Sequence, residues 1–239
     1  MNIAMILAGG VGSRVGADRP KQFVEILGRP VLAYTIDIYQ KNPQVDRILV
    51  VCHNDWVTYV KEMIEDYKLD KACWITNGGS TFQKSVINGI DFLRDKVAED
   101  DIVMIHYGAA PFTEQKVLLD NIEKCKKYNM AASCIPCFQL MGSNDHNNRS
   151  IQWKNRDEYI QIACPQSFKF WYIKDIYRRG KAQGILDSVD PHITSLMYAL
   201  GDTVYQSYGN QSNIKITTKE DFFLFEGYVL ACRRNGRFL

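Results

Sequence analysis

The stretch NIAMILAGGVGSR, from Asn2 to Arg14, decides the reading of this chain. From Ile3 to Ala8 it is apolar without interruption, at the length of a strand buried on both faces, and it runs straight into a glycine-rich loop. Working outward, amphipathic and strand-like runs alternate: Val31 to Tyr39 (helix), Arg47 to Cys52 (strand), Trp56 to Tyr67 (helix) and Ala72 to Thr76 (strand). The alternation continues with helical Ser80 to Lys96, strand Ile102 to His106, helical Glu114 to Tyr128 and strand Ala131 to Ile135. Apolar strands separated by helices predict an α/β fold with a mostly parallel sheet covered on both faces.

Between Pro136 and Cys164 the rhythm breaks. The cluster Gly142-Ser143-Asn144-Asp145-His146-Asn147-Asn148 is turn-forming, and Phe138, Leu140, Ile151 and Trp153 flank it. This predicts a protruding β-hairpin arm over 137–163, with apolar residues that a two-stranded hairpin cannot cover by itself. Helices are then expected over Ser167 to Arg179, Ser188 to Leu200 and Lys219 to Arg233, and strands over Thr203 to Tyr208 and Asn213 to Ile216. The 239 residues contain no repeat or linker, so a single domain over 1–239 is expected.

Composition narrows the function classes. Hydrophobic residues make up 46% and charged residues 23%, which are globular values. A net charge of +2 gives no concentrated basic face for nucleic acid. No apolar run approaches the roughly 20 residues of a membrane helix, and the start of the chain reads as a first strand rather than a leader, so a cytoplasmic protein is expected. Among seven cysteines only Cys134 and Cys137 fit C-x-x-C, without a second pair, and the four histidines are widely separated; reduced thiols are expected rather than a zinc site.

The first loop carries the chemistry. Leu7, Ala8, Gly9, Gly10 and Gly12 lead to Arg14, and Lys21 follows in Pro20-Lys21-Gln22. Glycines let backbone N–H groups approach a polyphosphate, and the two cations neutralise it. The string is neither a P-loop nor a complete G-x-G-x-x-G. A glycine turn alone would serve equally as a tight strand-to-helix connection; the linked Arg14 and Lys21 favour phosphate binding.

LAGGVGSR, followed by RPKQF, EILGRPVLAYTI and later NIKITTKED, resembles the family of methylerythritol phosphate and ribitol phosphate cytidylyltransferases. Gly78-Gly79-Ser80-Thr81 with Ser85, Ile105-His106 and Pro165-Gln166-Ser167-Phe168 add to the likeness, which runs from Met1 to about Glu226. It implies a Rossmann-like nucleotide-diphospho-sugar transferase fold. The implied reaction is attack of a polyol phosphate oxygen on the α-phosphorus of CTP, with loss of pyrophosphate and no covalent enzyme intermediate. By the same likeness Arg14, Lys21 and Lys215 are catalytic cations, and Gly78, Gly79, Thr81 and Ser85 join the first loop around the nucleotide. Arg156 and Asp190 are expected at the acceptor, with Arg156 reaching across a homodimer.

The chain departs from the family pattern at the metal. Tyr107 and Ser212 stand where the family carries carboxylates, so no residue is assigned as a metal ligand, and Mg²⁺ is expected to arrive mainly on the triphosphate. A phenol with an ordinary pKa of about 10 does not supply an anionic oxygen at neutral pH. Phe82 replaces an arginine, and Leu140, Cys164 and Val189 replace threonines on the acceptor side. Three readings stay open at this point: an active cytidylyltransferase with an altered acceptor, a silent nucleotide-binding homologue, and a nucleotidyltransferase for another base or sugar phosphate.

Overall fold

The structure is a computed structural model that describes residues 1–10 and 19–236. Gly12 and Arg14 lie outside the described residues. Strand β1 (Asn2–Ala8) leads to a small ribbon of β2 (Glu25–Ile26) and β3 (Arg29–Pro30), then α1 (Val31–Gln40), β4 (Arg47–Cys52), α2 (Val57–Asp66), β5 (Trp74–Asn77) and α3 (Phe82–Leu93). Next come β6 (Ile102–Tyr107), α4 (Gln115–Tyr128), β7 (Met130–Pro136), and the short pair β8 (Met141–Gly142) and β9 (Trp153–Lys154). The chain continues with β10 (Ile160–Lys169), α5 (Phe170–Ala182), α6 (Ile193–Ala199), β11 (Gln206–Tyr208) and α7 (Lys219–Arg234).

Among the described residues seven strands form the main sheet, in the order β11-β7-β10-β6-β1-β4-β5. All neighbours are parallel except β10, which runs antiparallel to both β6 and β7. Strand β1 shows why the continuous apolar pattern was needed. Ala4, Ile6 and Ala8 face a layer containing Ile36, Tyr39, Val60, Leu118 and Ile122 from α1, α2 and α4. Ile3, Met5 and Leu7 face the opposite layer, with Val86, Ile90, Phe170, Ile173 and Leu196 from α3, α5 and α6. Side chains alternate with period two, so a strand with helices on both faces has no exposed position to make polar.

Three expectations need correction. Ser167 to Lys169 are not helical; they complete β10, and α5 begins at Phe170. The buried Ser167 Oγ and Asn121 side chain bond each other, and Asn121 also donates to Pro165 O, so polar groups that suggested a helix surface are satisfied inside the sheet. Asn213 to Ile216 do not join the sheet; Ile216 N donates to Ala109 O at 2.8 Å, Asn213 N to Asn210 O at 3.0 Å and Ile214 N to Ser212 O at 2.8 Å. The segment 137–163 also divides, because Ile160 to Ile162 already pair with Pro136 to Cys134 of the main sheet. What projects is the β8–β9 ribbon, on which Leu140 is 93%, Ile151 81% and Trp153 75% exposed.

The chain winds from β1 outward through β4 and β5 and returns on the other side of β1 at β6. In open α/β sheets such a reversal leaves a crevice at the carboxyl ends of the strands. Here those ends are Ala8 and Tyr107.

Candidate active site

The carboxyl end of β1 delivers Gly9 and Gly10 to the crevice, and a buried side chain fixes them there. Gln22 donates Nε2 to Ala8 O at 2.7 Å and to Gly10 O at 2.8 Å. Beside this loop, the turn after β5 is held by backbone and hydroxyl contacts. Gly78 N donates to Cys52 O at 2.8 Å, Gly79 N donates to Ser85 Oγ at 3.0 Å, and Ser85 Oγ donates to Thr81 O at 3.0 Å. Thr81 caps α3 by accepting from Lys84 N at 3.2 Å. A Cβ on Gly79 would lie 2.3 Å from Lys84 Cβ, so only glycine fits this turn.

The third wall is the segment before α7. Asn213 is buried, donates to Cys164 O at 2.6 Å and accepts from Thr113 Oγ1 at 2.7 Å. Thr217 Oγ1 donates to Lys215 O at 2.8 Å, and a capping box of Thr218 and Asp221 starts α7 just beyond. Lys21 reaches the same segment, with Nζ donating to Ile216 O at 2.5 Å. These contacts set Lys215 at the mouth of the crevice, its ammonium 3.8 Å from the centroid of the Tyr107 ring.

Two cavities meet at that pair. One, of about 490 Å³, is lined by Leu7, Gly9, Gly10, Lys21, Gly79, Thr81 and Ser85, together with His53, Ser80, Phe82 and Thr217. The other, of about 610 Å³, is lined by Ile135, Phe138, Gln139, Gln161, Cys164, His192 and Asn213. Tyr107 and Lys215 line both. The structure therefore brings Gly9, Gly10, Gly79, Lys21, Thr81, Ser85 and Lys215 into one crevice, with Ala8 and Gly78 adjoining these residues in the chain.

Arg156 and Asp190 stand at the edge of the second cavity rather than in its lining. Arg156 donates Nη1 to Phe138 O at 2.5 Å, on the arm side. Asp190 is tied to its own turn: its Oδ1 accepts from His192 Nδ1, from His192 N at 3.1 Å and from Ser195 Oγ at 3.2 Å. The His192 hydrogen bond holds the Asp190 carboxyl below its ordinary value.

Burial, reinforced by Cys164 and Asp190, pushes the Tyr107 phenol well above its ordinary value, so it stays protonated. The Ser212 hydroxyl is buried without a hydrogen-bond partner and carries no charge. Among the described residues no group of three or more His, Cys, Asp or Glu side chains could hold a metal ion. The donor set at Tyr107 and Ser212 does not fit a protein-bound Mg²⁺.

Behind the crevice, His106 is fully buried. It accepts from Tyr39 Oη through Nδ1 at 2.6 Å and donates Nε2–H to Ala110 O at 3.0 Å. Burial lowers its pKa to about 4 and raises that of neighbouring Cys164 to about 12, so this pair is a neutral packing element rather than a nucleophile and its base.

Residues 2–231 match the family described as IspD: 2-C-methyl-D-erythritol 4-phosphate cytidylyltransferase. The chain belongs to the IspD family. Among its relatives, ribitol-5-phosphate cytidylyltransferase of Lacticaseibacillus paracasei is 35% identical over 96% of this chain and 98% of its own. The 2-C-methyl-D-erythritol 4-phosphate cytidylyltransferase of Clostridium beijerinckii is 36% identical over 95% of this chain and 97% of its own. In fold, this IspD-family chain is similar to 4-diphosphocytidyl-2C-methyl-D-erythritol synthase from Anaerococcus prevotii, with a TM-score of 0.79, 24% identity and 96% of each chain covered.

Within the family frame, several contributors to the site are new. Gln22, Phe82, His192 and Thr217 were not assigned from sequence. Gln22 sits in the quoted RPKQF motif, but a glutamine beside a lysine gives no signal that its amide will close a loop fourteen residues back. Phe82 and His192 come from different elements and meet Tyr107 only in the fold, at ring-centroid distances of 5.7 and 6.2 Å. No helix among the described residues is long and apolar enough to cross a membrane.

Proposed function

We propose that this chain transfers CMP from CTP to a small polyol phosphate, with release of pyrophosphate. The observation that carries the reading is the meeting of two cavities at Lys215 and Tyr107, one framed by glycines and Lys21, the other by polar groups beside the arm. CTP occupies the first, its base at the Gly78-Gly79 turn and Ser85, where the close backbone excludes a larger purine. The acceptor occupies the second. An acceptor phosphate oxygen attacks the α-phosphorus, a new P–O bond forms, the α–β bridging bond breaks, and its electrons leave on pyrophosphate. No general base is needed, because the attacking oxygen is already anionic.

Catalysis in this reading is electrostatic. Lys215 and Lys21 meet the charge that builds on the α-phosphoryl group, while Arg14 bears on the β- and γ-phosphates. Any Mg²⁺ would be held mainly by the triphosphate and water, where it would supply further positive charge, with no residue of the chain assigned as its ligand. Ribitol 5-phosphate is the favoured acceptor, because several relatives that match nearly the whole chain carry its name. The exposed Leu140, Ile151 and Trp153 support a homodimer built by the arm, which carries Arg156 toward the partner's acceptor cavity. A cytoplasmic location follows from the need for CTP.

The test is pyrophosphate release with CTP, Mg²⁺ and a panel containing ribitol 5-phosphate and 2-C-methyl-D-erythritol 4-phosphate. Release with ribitol 5-phosphate and CTP, and not with ATP or GTP, is expected. Tyr107 and Ser212, which leave no carboxylate for a metal, favour a second reading as a silent homologue. CTP binding without any release would select it.

A further inference from the structure

The acceptor cavity needs more positive charge than the sequence assigned to it. Its lining contains Lys215, already turned onto the Tyr107 ring at the CTP junction, and amides such as Gln161 and Asn213. Arg156 of the same chain lies at the rim, with Nη1 donating to Phe138 O, and does not line the cavity. The other lining group able to carry a positive charge is His192, which precedes α6.

His192 is built into place from two sides. Asp190 holds its Nδ1 and backbone N, and Ser195 Oγ supports the same carboxylate oxygen at 3.2 Å. Its ring lies 5.4 Å from Phe82 and stands edge-on to Tyr107 at 6.2 Å and 86°. With Nδ1 taken by a carboxylate, Nε2 is the ring nitrogen left for a ligand. A protonated ring held this way donates from Nε2 to a phosphate oxygen. The aromatic wall thus divides its work: Phe82 faces the nucleotide cavity, His192 the acceptor cavity, and Tyr107 both.

We propose that His192 is the ligand through which this chain binds the phosphate of its acceptor, with Asp190 as the residue that positions it. The inference rests on the two-cavity reading above and adds the group that recognises the second substrate. The charged and titratable groups around the ring are Asp190, Tyr107 and, across the Tyr107 face, Lys215.

Substituting His192→Phe keeps an aromatic ring against Phe82 and Tyr107 but removes the donor. The expected result is a rise of about ten- to a hundredfold in KM for ribitol 5-phosphate, the range of one charge-assisted hydrogen bond, with KM for CTP changed less than about twofold. Asp190→Asn should raise the same KM less. An unchanged acceptor KM in His192→Phe overturns the proposal. Independently of turnover, inorganic phosphate titrated into the wild-type protein should move the His192 ring resonances in NMR spectra, and ring signals that stay fixed at saturating phosphate also overturn it. The CTP-induced rise in melting temperature separates the two readings. If CTP still stabilises the protein while phosphate leaves His192 unmoved, only this inference fails; if CTP does not stabilise it, the underlying reading fails.

Discussion

At Tyr107 a cation–aromatic contact occupies the position at which the family resemblance implies a carboxylate. The ring cannot ligate a metal, but its face holds the Lys215 ammonium at 3.8 Å, where a carboxylate would pair with it. If the metal enters only on the triphosphate, Tyr107→Asp together with Ser212→Asp should lower the Mg²⁺ concentration needed for half-maximal pyrophosphate release and raise the rate. Added carboxylates in a partly desolvated cleft bind a divalent ion more strongly than in water. A folded double variant with the parent's rate and Mg²⁺ dependence would mean that these positions do not face the metal. Behind them, His106 makes stability depend on pH. Its folded pKa of about 4 lies below the ordinary 6.5, so the unfolded chain takes up the proton first as pH falls. Stability is therefore fully present above pH 6.5 and declines toward pH 4. Between pH 7 and 5 the decline from this group should approach about 2 kcal/mol. Urea midpoints should show a smaller loss over that interval in His106→Gln; parallel pH profiles would assign the loss elsewhere.

At the scale of elements, the arm and β10 show the limits of local pattern. A hairpin with Leu140, Ile151 and Trp153 exposed has no face of its own to bury them, and isolated two-stranded ribbons are marginal in water. Replacing Phe138 to Trp153 by a short turn should convert a dimer to monomers, as measured by light scattering. An intact protein that is already monomeric at micromolar concentration would remove the arm's assembly role. Strand β10 was not legible because Gln161, Gln166 and Ser167 interrupt its apolar residues and Pro165 lies in its middle, features that count against an interior strand. The strand is accommodated because Asn121, from α4, bonds the Ser167 hydroxyl and the Pro165 carbonyl and because the register shifts between Ile162 and Gln166. Asn213 to Ile216 erred in the opposite direction: their apolar character reflects packing of Ile216 against Val31, Tyr34 and Phe225 in a separate cluster, not sheet pairing.

At the scale of the molecule, the glycine loop, the Gly78-Gly79 turn and the segment carrying Lys215 converge from three distant parts of the chain. A ligand that bridges them stabilises the folded state by mass action, about 2.7 kcal/mol at a hundredfold excess over Kd. For a chain of this length that is on the order of 5 to 10 °C in Tm. CTP should produce such a shift in a thermal melt, with ATP and GTP giving less. Equal or absent shifts with all the triphosphates would refute a cytidine site.

The sequence by itself determined the layer architecture and the family. Burial on both faces forces continuous apolar strands, and close backbone approach forces glycine, so these requirements are written locally at residues such as Ile3 to Ala8 and Gly79. Tertiary structure alone decided what stands beside what. It closed Gln22 onto the first loop, set Lys215 on Tyr107, stood His192 beside Phe82 and Tyr107 and left Arg156 at a rim. Hydrogen bonds and ring contacts between residues far apart in the chain depend on how elements dock. A polar or aromatic side chain carries no mark in the sequence of the partner that docking will give it.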